Sequence, residues 1–187
     1  MEKKTDVKRI VLISTRALVV LIVSGFIYGL LNWQSGTERL RARLRASQRV
    51  PAPALYDSSE TDTLPVPVRR YLGLVLEHGQ PMVAGARIRH AGDFNMSDEA
   101  EQWKEFSSSQ MVTTDRPGFV WDARIEIGPL LIVFVHDAYI AGEGVLMARF
   151  VGILTVADEP STPELAQGEL MRYLAEGVWD RKDLLTS

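Results

Sequence analysis

Three observations in this sequence predict an α+β fold: an N-terminal transmembrane helix followed by an antiparallel meander sheet of about five strands flanked by two helices. An apolar run fills residues 10–31, alternating apolar and polar residues bounded by turn signals fill 83–156, and amphipathic helical periodicity appears on either side of that stretch. Helix, then strands, then helix is the order of a segregated α+β domain, with neighbouring strands joined by short turns.

Charge divides the chain at Ser58. Before it stand ten Lys and Arg against four Asp and Glu, a net of +6; from it onward stand eleven against twenty, a net of −9. A basic anchor therefore carries an acidic domain, and an acidic domain is unsuited to nucleic acid. The chain has no cysteine, which removes disulfides, thiolate chemistry and a lipidated cysteine. Attachment to a membrane is then proteinaceous, and membrane lipids are the first expected partners.

After a basic tail over 1–9, residues 10–31 are apolar except for Ser14, Thr15, Arg16, Ser24 and Tyr28. As a helix these residues reach about 33 Å, enough to cross a bilayer. Arg16 can snorkel back to the headgroups, and Tyr28 and Trp33 fall where an aromatic belt sits. The rival reading is a cleaved signal peptide with Ala17 to Leu31 as its core, although no clear small-x-small cleavage site follows. Five Lys and Arg precede the apolar core and five follow it, so the free amino terminus tips the expected orientation: N-terminus inside, domain outside the cytoplasm. Gly25 and Gly29 have the Gly-x-x-x-Gly spacing that lets two helices approach, as a route to self-association or as ordinary membrane-helix glycines.

Residues 32–62 predict a basic juxtamembrane helix, capped by Thr37 and running to Arg49, then an extended linker from Pro51. Arg39, Arg41, Arg43, Arg45 and Arg49 spread around that helix, either as contacts to anionic headgroups or as the solvated face of a stalk. The domain proper spans 63–187. A helix over Val68–His78, stopped by Gly79, places Val68, Tyr71, Leu72, Val75 and Leu76 on one face. Strands follow over about 83–96 and 102–114. Pro117 to Tyr139 then reads as a hairpin broken at Gly128-Pro129, a further strand covers 145–156 after the Ala141–Gly144 turn, and Ser161 or Thr162 starts a last helix.

Several blocks resemble an uncharacterised bacterial family known as a domain of unknown function and often preceded by membrane helices: Leu-Pro-Val-Pro-Val-Arg-Arg-Tyr-Leu at 64–72, Pro-Gly-Phe-Val-Trp-Asp-Ala at 117–123, Asp-Ala-Tyr at 137–139 and Gly-Glu-Leu-Met-Arg-Tyr-Leu-Ala-Glu at 168–176. The resemblance covers about residues 60–178 and implies no activity, substrate or catalytic residue. It does imply a longer domain with further β structure past the last helix. Here the chain departs at Asp180-Arg-Lys-Asp and stops at Ser187, which reads as a truncation or an altered frame that leaves an exposed sheet edge for a protein partner.

A hairpin loop with an even number of residues predicts which side chains share a face. Phe119, Trp121, Ala123, Ile125 and Ile127 then lie with Ile132, Phe134, His136 and Ala138, while Asp122 and Asp137 meet on the other face beside Arg124. That acidic pair is either a solvated, Arg-balanced patch or a pair in which one carboxyl is kept protonated to act as an acid. Carried through the next turn, the register brings Arg149 near His136 and Trp121. An apolar groove with a cation at its edge suits an amphiphile with an anionic head, whereas the plainer reading has Arg149 stacked on Trp121 for stability. His78, His90 and His136 are scattered without metal-ligand spacing, and no nucleophile elbow or phosphate loop appears, so neither a metal, a cofactor nor a catalytic residue is assigned. The expected role is binding of an apolar or amphiphilic, lipid-like ligand without catalysis. The alternative is a structural or protein-interaction module at the membrane or envelope.

Overall fold

A computed structural model describes residues 2–49, 55–97 and 99–184, with side chains from 8 through 177. Of the extended linker expected over 51–62, residues 51–54 lie outside the described residues, and the rest is not extended: Leu55 bridges Pro81 and Ser58–Thr61 forms a 3-10 turn. A six-stranded antiparallel sheet stands between two helices, one on each face.

Helix α1, Glu2–Ser47, is one unbroken element of 46 residues. No proline interrupts it, and Leu, Ala and Arg sustain helix where the apolar run gives way to polar sequence. Its last carbonyls are closed by side chains: Ser47 Oγ and Gln48 Nε2 both donate to the Leu44 carbonyl, at 2.8 and 3.3 Å. The expected break before Thr37 is absent. Thr37 is instead buried inside the helix, its hydroxyl donating to the Trp33 carbonyl at 3.2 Å.

After a short 3-10 turn at Ser58–Thr61 comes α2, Val66–Val75, which begins with proline in its first turn. On its expected apolar stripe Val68 and Tyr71 are exposed, while Leu72, Val75 and, just past the helix, Leu76 are half-buried. The strands are β1 (Gly85–Asn95), β2 (Trp103–Thr113), β3 (Gly118–Gly128), β4 (Leu131–Ile140), β5 (Glu143–Phe150) and β6 (Leu154–Glu159), paired in chain order. A sixth strand arises because the segment read as one strand over 145–156 folds back on itself: Val151 and Gly152 take left-handed backbone angles, φ 53° and 73°. Helix α3, Pro163–Leu184, crosses the opposite face from α1.

The β3–β4 hairpin has a two-residue loop, Pro129-Leu130, with Gly128 opposite Leu131. A bulge then places Glu126 opposite Ile132, leaving Ile127 as the extra residue. That single residue inverts the predicted facing along the rest of β4. Asp122 lies opposite His136, and Trp121 opposite Asp137. Each face then builds its own core. Under α1, Leu44, Val120, Ala138 and Ile140 pack with Leu40 and Met111. Under α3, Val112, Phe119, Trp121 and Ala123 pack with Phe106, Val135 and Tyr173. Full burial of side chains of this size stabilises by about 1.5–3 kcal/mol each.

Candidate functional site

The C-terminal half of α1 lies on the sheet through Gly29, Trp33, Thr37, Leu40 and Leu44, spaced three or four residues apart along one stripe, with Arg41 beside Leu40. At the middle of this seam the Trp33 and His136 rings stack, with centroids 3.7 Å apart and planes within 15°. Trp33 Nε1–H donates to Asp122 Oδ1 at 2.8 Å, and Thr37 Oγ1 lies 2.7 Å from His136 Nε2. Arg41 donates to Ser109 Oγ at 3.3 Å and to Glu38 at 2.8 Å.

Burial, reinforced by Arg41, Arg149 and Arg39, drives His136 down to about 3, so its ring is neutral at physiological pH. Its 3.7 Å approach to Asp122 is therefore not an ion pair at that pH. Burial also lifts the Asp122 carboxyl above the usual range, against the opposing effects of the Trp33 N–H and Arg41. These groups are closed under α1, and their chemistry is to hold the helix on the sheet.

A second polar cluster lies under α3. Arg172 pairs with Asp137 and with Glu176, the latter at 2.8 Å, and its guanidinium lies 5.0 Å from the centroids of both Phe119 and Trp121. Glu169 is 9% exposed, and burial followed by the neighbouring Asp137 carboxylate pushes its carboxyl up to about 8. Among the described residues no N–H or hydroxyl donor reaches Glu169 Oε2 or Asp137 Oδ1, and the proton held on Glu169 is what lets the two carboxyls share a hydrogen bond.

The bulge thus redistributes the residues expected to form sites. Asp122 and Asp137 are on opposite faces, and the acidic neighbour of Asp137 is Glu169. His136 and Arg149 share the α1 face, Arg149 being opposite Phe134, while Trp121 lies on the α3 face. The cation over Trp121 is Arg172, not Arg149. Among the juxtamembrane arginines, Arg41 is turned into the sheet, Arg39 donates to Ser35 at 2.8 Å, Arg43 pairs with Glu143 at 2.6 Å, Arg45 is exposed, and the Arg49 backbone N–H donates to Asp115 at 3.3 Å. Trp33 was read from the sequence as a membrane-belt aromatic and Thr37 as a helix cap, and neither they nor Glu169 and Arg172 were expected at a site. The stripe through Gly29, Trp33, Thr37, Leu40 and Leu44 signals the first two, and Glu169, Arg172 and Glu176 at helical spacing signal the others.

One further concavity is apolar. A cleft of about 380 Å³ opens between α1 and the β5–β6 turn, lined by Leu21, Ile22, Gly25 and Phe26 on one side and by Phe150, Val151, Ile153 and Leu154 on the other. It narrows where Gly29 meets Gly152. A Cβ on Gly29 would lie 2.4 Å from the Val151 oxygen, and one on Gly152 would lie 2.6 Å from the Gly29 oxygen. The glycine pair considered for self-association therefore has one member covered by the chain's own turn.

The fold and this seam define a helix-anchored α+β domain: an open antiparallel sheet docked on the second half of a helix whose first half is long and apolar enough to cross a membrane. The chain belongs to a family of unknown function, DUF6920, which matches residues 62–186. No curated protein and no solved structure matches it. The family match takes in the whole sheet and α3 but leaves out α1, the element that covers one face of that sheet.

Proposed function

We propose that this is a single-pass membrane protein whose domain lies outside the cytoplasm and binds an apolar or amphiphilic, lipid-like ligand without catalysis, in the cleft between α1 and the β5–β6 turn. The observation that carries this reading is the composition of the cleft, eight residues without a charge or a hydrogen-bonding side chain. Arg149 immediately precedes the Phe150 wall, and its Nε is buried without a hydrogen-bond partner. An acyl chain fits the cleft, and Arg149 supplies a cation for an anionic head.

Lipid retained by the full chain after purification in detergent, measured by mass spectrometry, tests this. A Cβ on Gly25 meets nothing within 4 Å, so Gly25→Leu fills the cleft without a clash at its Cβ. Wild type is expected to retain lipid through detergent exchange and Gly25→Leu to lose most of it. Equal retention would remove the ligand reading.

The second reading, a protein-interaction module, is favoured by the unpaired outer edge of β6, where Leu154 and Val156 are each 63% exposed. Absence of lipid in both proteins, together with a protein crosslinked to β6, would select it.

A further inference from the structure

Two of the three turns at one end of the sheet, β3–β4 and β5–β6, are apolar. Residues 127–135 and 150–157 contain no charged side chain. Leu130 at the first tip is 80% exposed, and Ile153 and Leu154 at the second are 43% and 63% exposed. Such side chains project into water at a cost unless something covers them. Helix α1 leaves the sheet at this same end: Leu44 packs near the opposite end, Gly29 meets Gly152 at the β5–β6 turn, and residues 8–24 beyond are exposed throughout.

The α1 wall of the cleft, Leu21 to Phe26, lies about 8–15 Å on the N-terminal side of Leu31 at 1.5 Å per residue. If residues 10–31 occupy a hydrocarbon core about 30 Å thick, the β5–β6 turn that forms the other wall is already below the headgroups. Its backbone suits that environment. The Val151 N–H donates to the Ile132 carbonyl at 2.8 Å and the Ile153 N–H to the Phe150 carbonyl at 3.1 Å, so the turn satisfies these donors internally. Val151 is a β-branched residue at φ 53°, a strained conformation retained here against Gly29. Arg149, just behind the tip, falls at headgroup level. The β1–β2 turn, at the same end but the far edge of the sheet, mixes exposed Met96 and Trp103 with Glu99 and Glu101, so the corner free of charge is the one formed by the other two turns.

We infer that the β3–β4 and β5–β6 turns insert into the bilayer beside α1, so that the domain is held by a helix and two hairpin tips. The inference rests on α1 spanning the membrane, and the test separates the two. The chain has no cysteine, so single cysteines carry a fluorophore without a background. In the full chain, Leu130→Cys and Leu154→Cys report the tips, Val20→Cys the span, and Ala141→Cys the opposite end of the sheet. Each variant, labelled with an environment-sensitive fluorophore, is reconstituted in phosphatidylcholine vesicles with or without brominated acyl chains.

The expected result is several-fold stronger quenching at positions 130, 154 and 20 than at 141, with the tips quenched best by bromines near the glycerol end of the chain. Quenching at position 20 but not at 130 or 154 would overturn tip insertion and leave the span intact. No quenching at position 20 would overturn both.

Discussion

The two faces of the sheet together make a pH signature that depends on two buried groups with opposite signs, His136 under α1 and Glu169 under α3. His136, driven from 6.5 to about 3, is neutral in the folded chain and protonated in the unfolded chain across that interval. Its contribution is present above 6.5 and lost as pH falls toward 3. Glu169, raised from 4.5 to about 8, is protonated in the folded chain while its unfolded counterpart is ionised. Its contribution is present below 4.5 and lost as pH rises toward 8. Each proton difference gives a slope of about 1.4 kcal/mol per pH unit. Between 4.5 and 6.5 the two slopes cancel, leaving a plateau.

His136→Gln, which keeps a polar group near Thr37 but cannot titrate there, removes one slope. Across the two units from 6.5 to 4.5 the variant is expected to gain about 2–3 kcal/mol as pH falls, while wild type changes little. Glu169→Gln is expected to do the reverse over the same window. Asp122, also raised, acts in the same direction as Glu169 but from its lower starting value of 3.8, and is unchanged in both variants. Urea unfolding of the full chain in detergent micelles, repeated from pH 3 to 8 and plotted as variant minus wild type, isolates each group. A flat difference curve for His136→Gln below pH 6.5 would mean that the histidine is hydrated and charged in the folded protein, which the stack on Trp33 and burial beneath α1 do not allow.

Gly29→Ala forces a Cβ to within 2.4 Å of the Val151 oxygen and is expected to destabilise by about 1–3 kcal/mol through separation of α1 from the β5–β6 turn, read as a lower urea midpoint. A reporter active only outside the cytoplasm, fused to Ser187, is expected to be active; activity of a cytoplasmic reporter at the same position would reverse the proposed orientation.

The α+β class, the hairpin at 117–139 and the last helix were legible because each has a local cause: alternation, paired turn residues, or a stripe of leucines. What escaped was set by neighbours. The bulge at Ile127 has no turn residue of its own to announce it, yet it decides whether Trp121 faces Asp137 or His136. The turn at Val151-Gly152 was hidden by an apolar run that reads as continuous strand and carries only one glycine. The continuity of α1 was obscured because Ser35-Gly36-Thr37 has the composition of a helix boundary. Tertiary packing against His136 keeps that segment helical. The long apolar helix was legible from hydropathy, which reports solvent preference but not that the same helix covers one face of the sheet and supplies part of its core.

That unbroken helix also leaves no hinge between its apolar first half and the sheet docked on its second half. From Gly29 to Arg43, fourteen residues at 1.5 Å each, the helix extends about 21 Å along the sheet. Arg43 is tied at its far end to Glu143. Helices adapt to a thicker or thinner bilayer by changing tilt. A rigid tilt of about 10° here would swing the β4–β5 turn through almost 4 Å, a displacement estimated from the same 1.5 Å rise. The sheet is thus mounted rigidly on the helix: with the apolar half spanning a bilayer as proposed, a change of tilt in that longer arm of about 33 Å is carried without loss to the far end of the sheet.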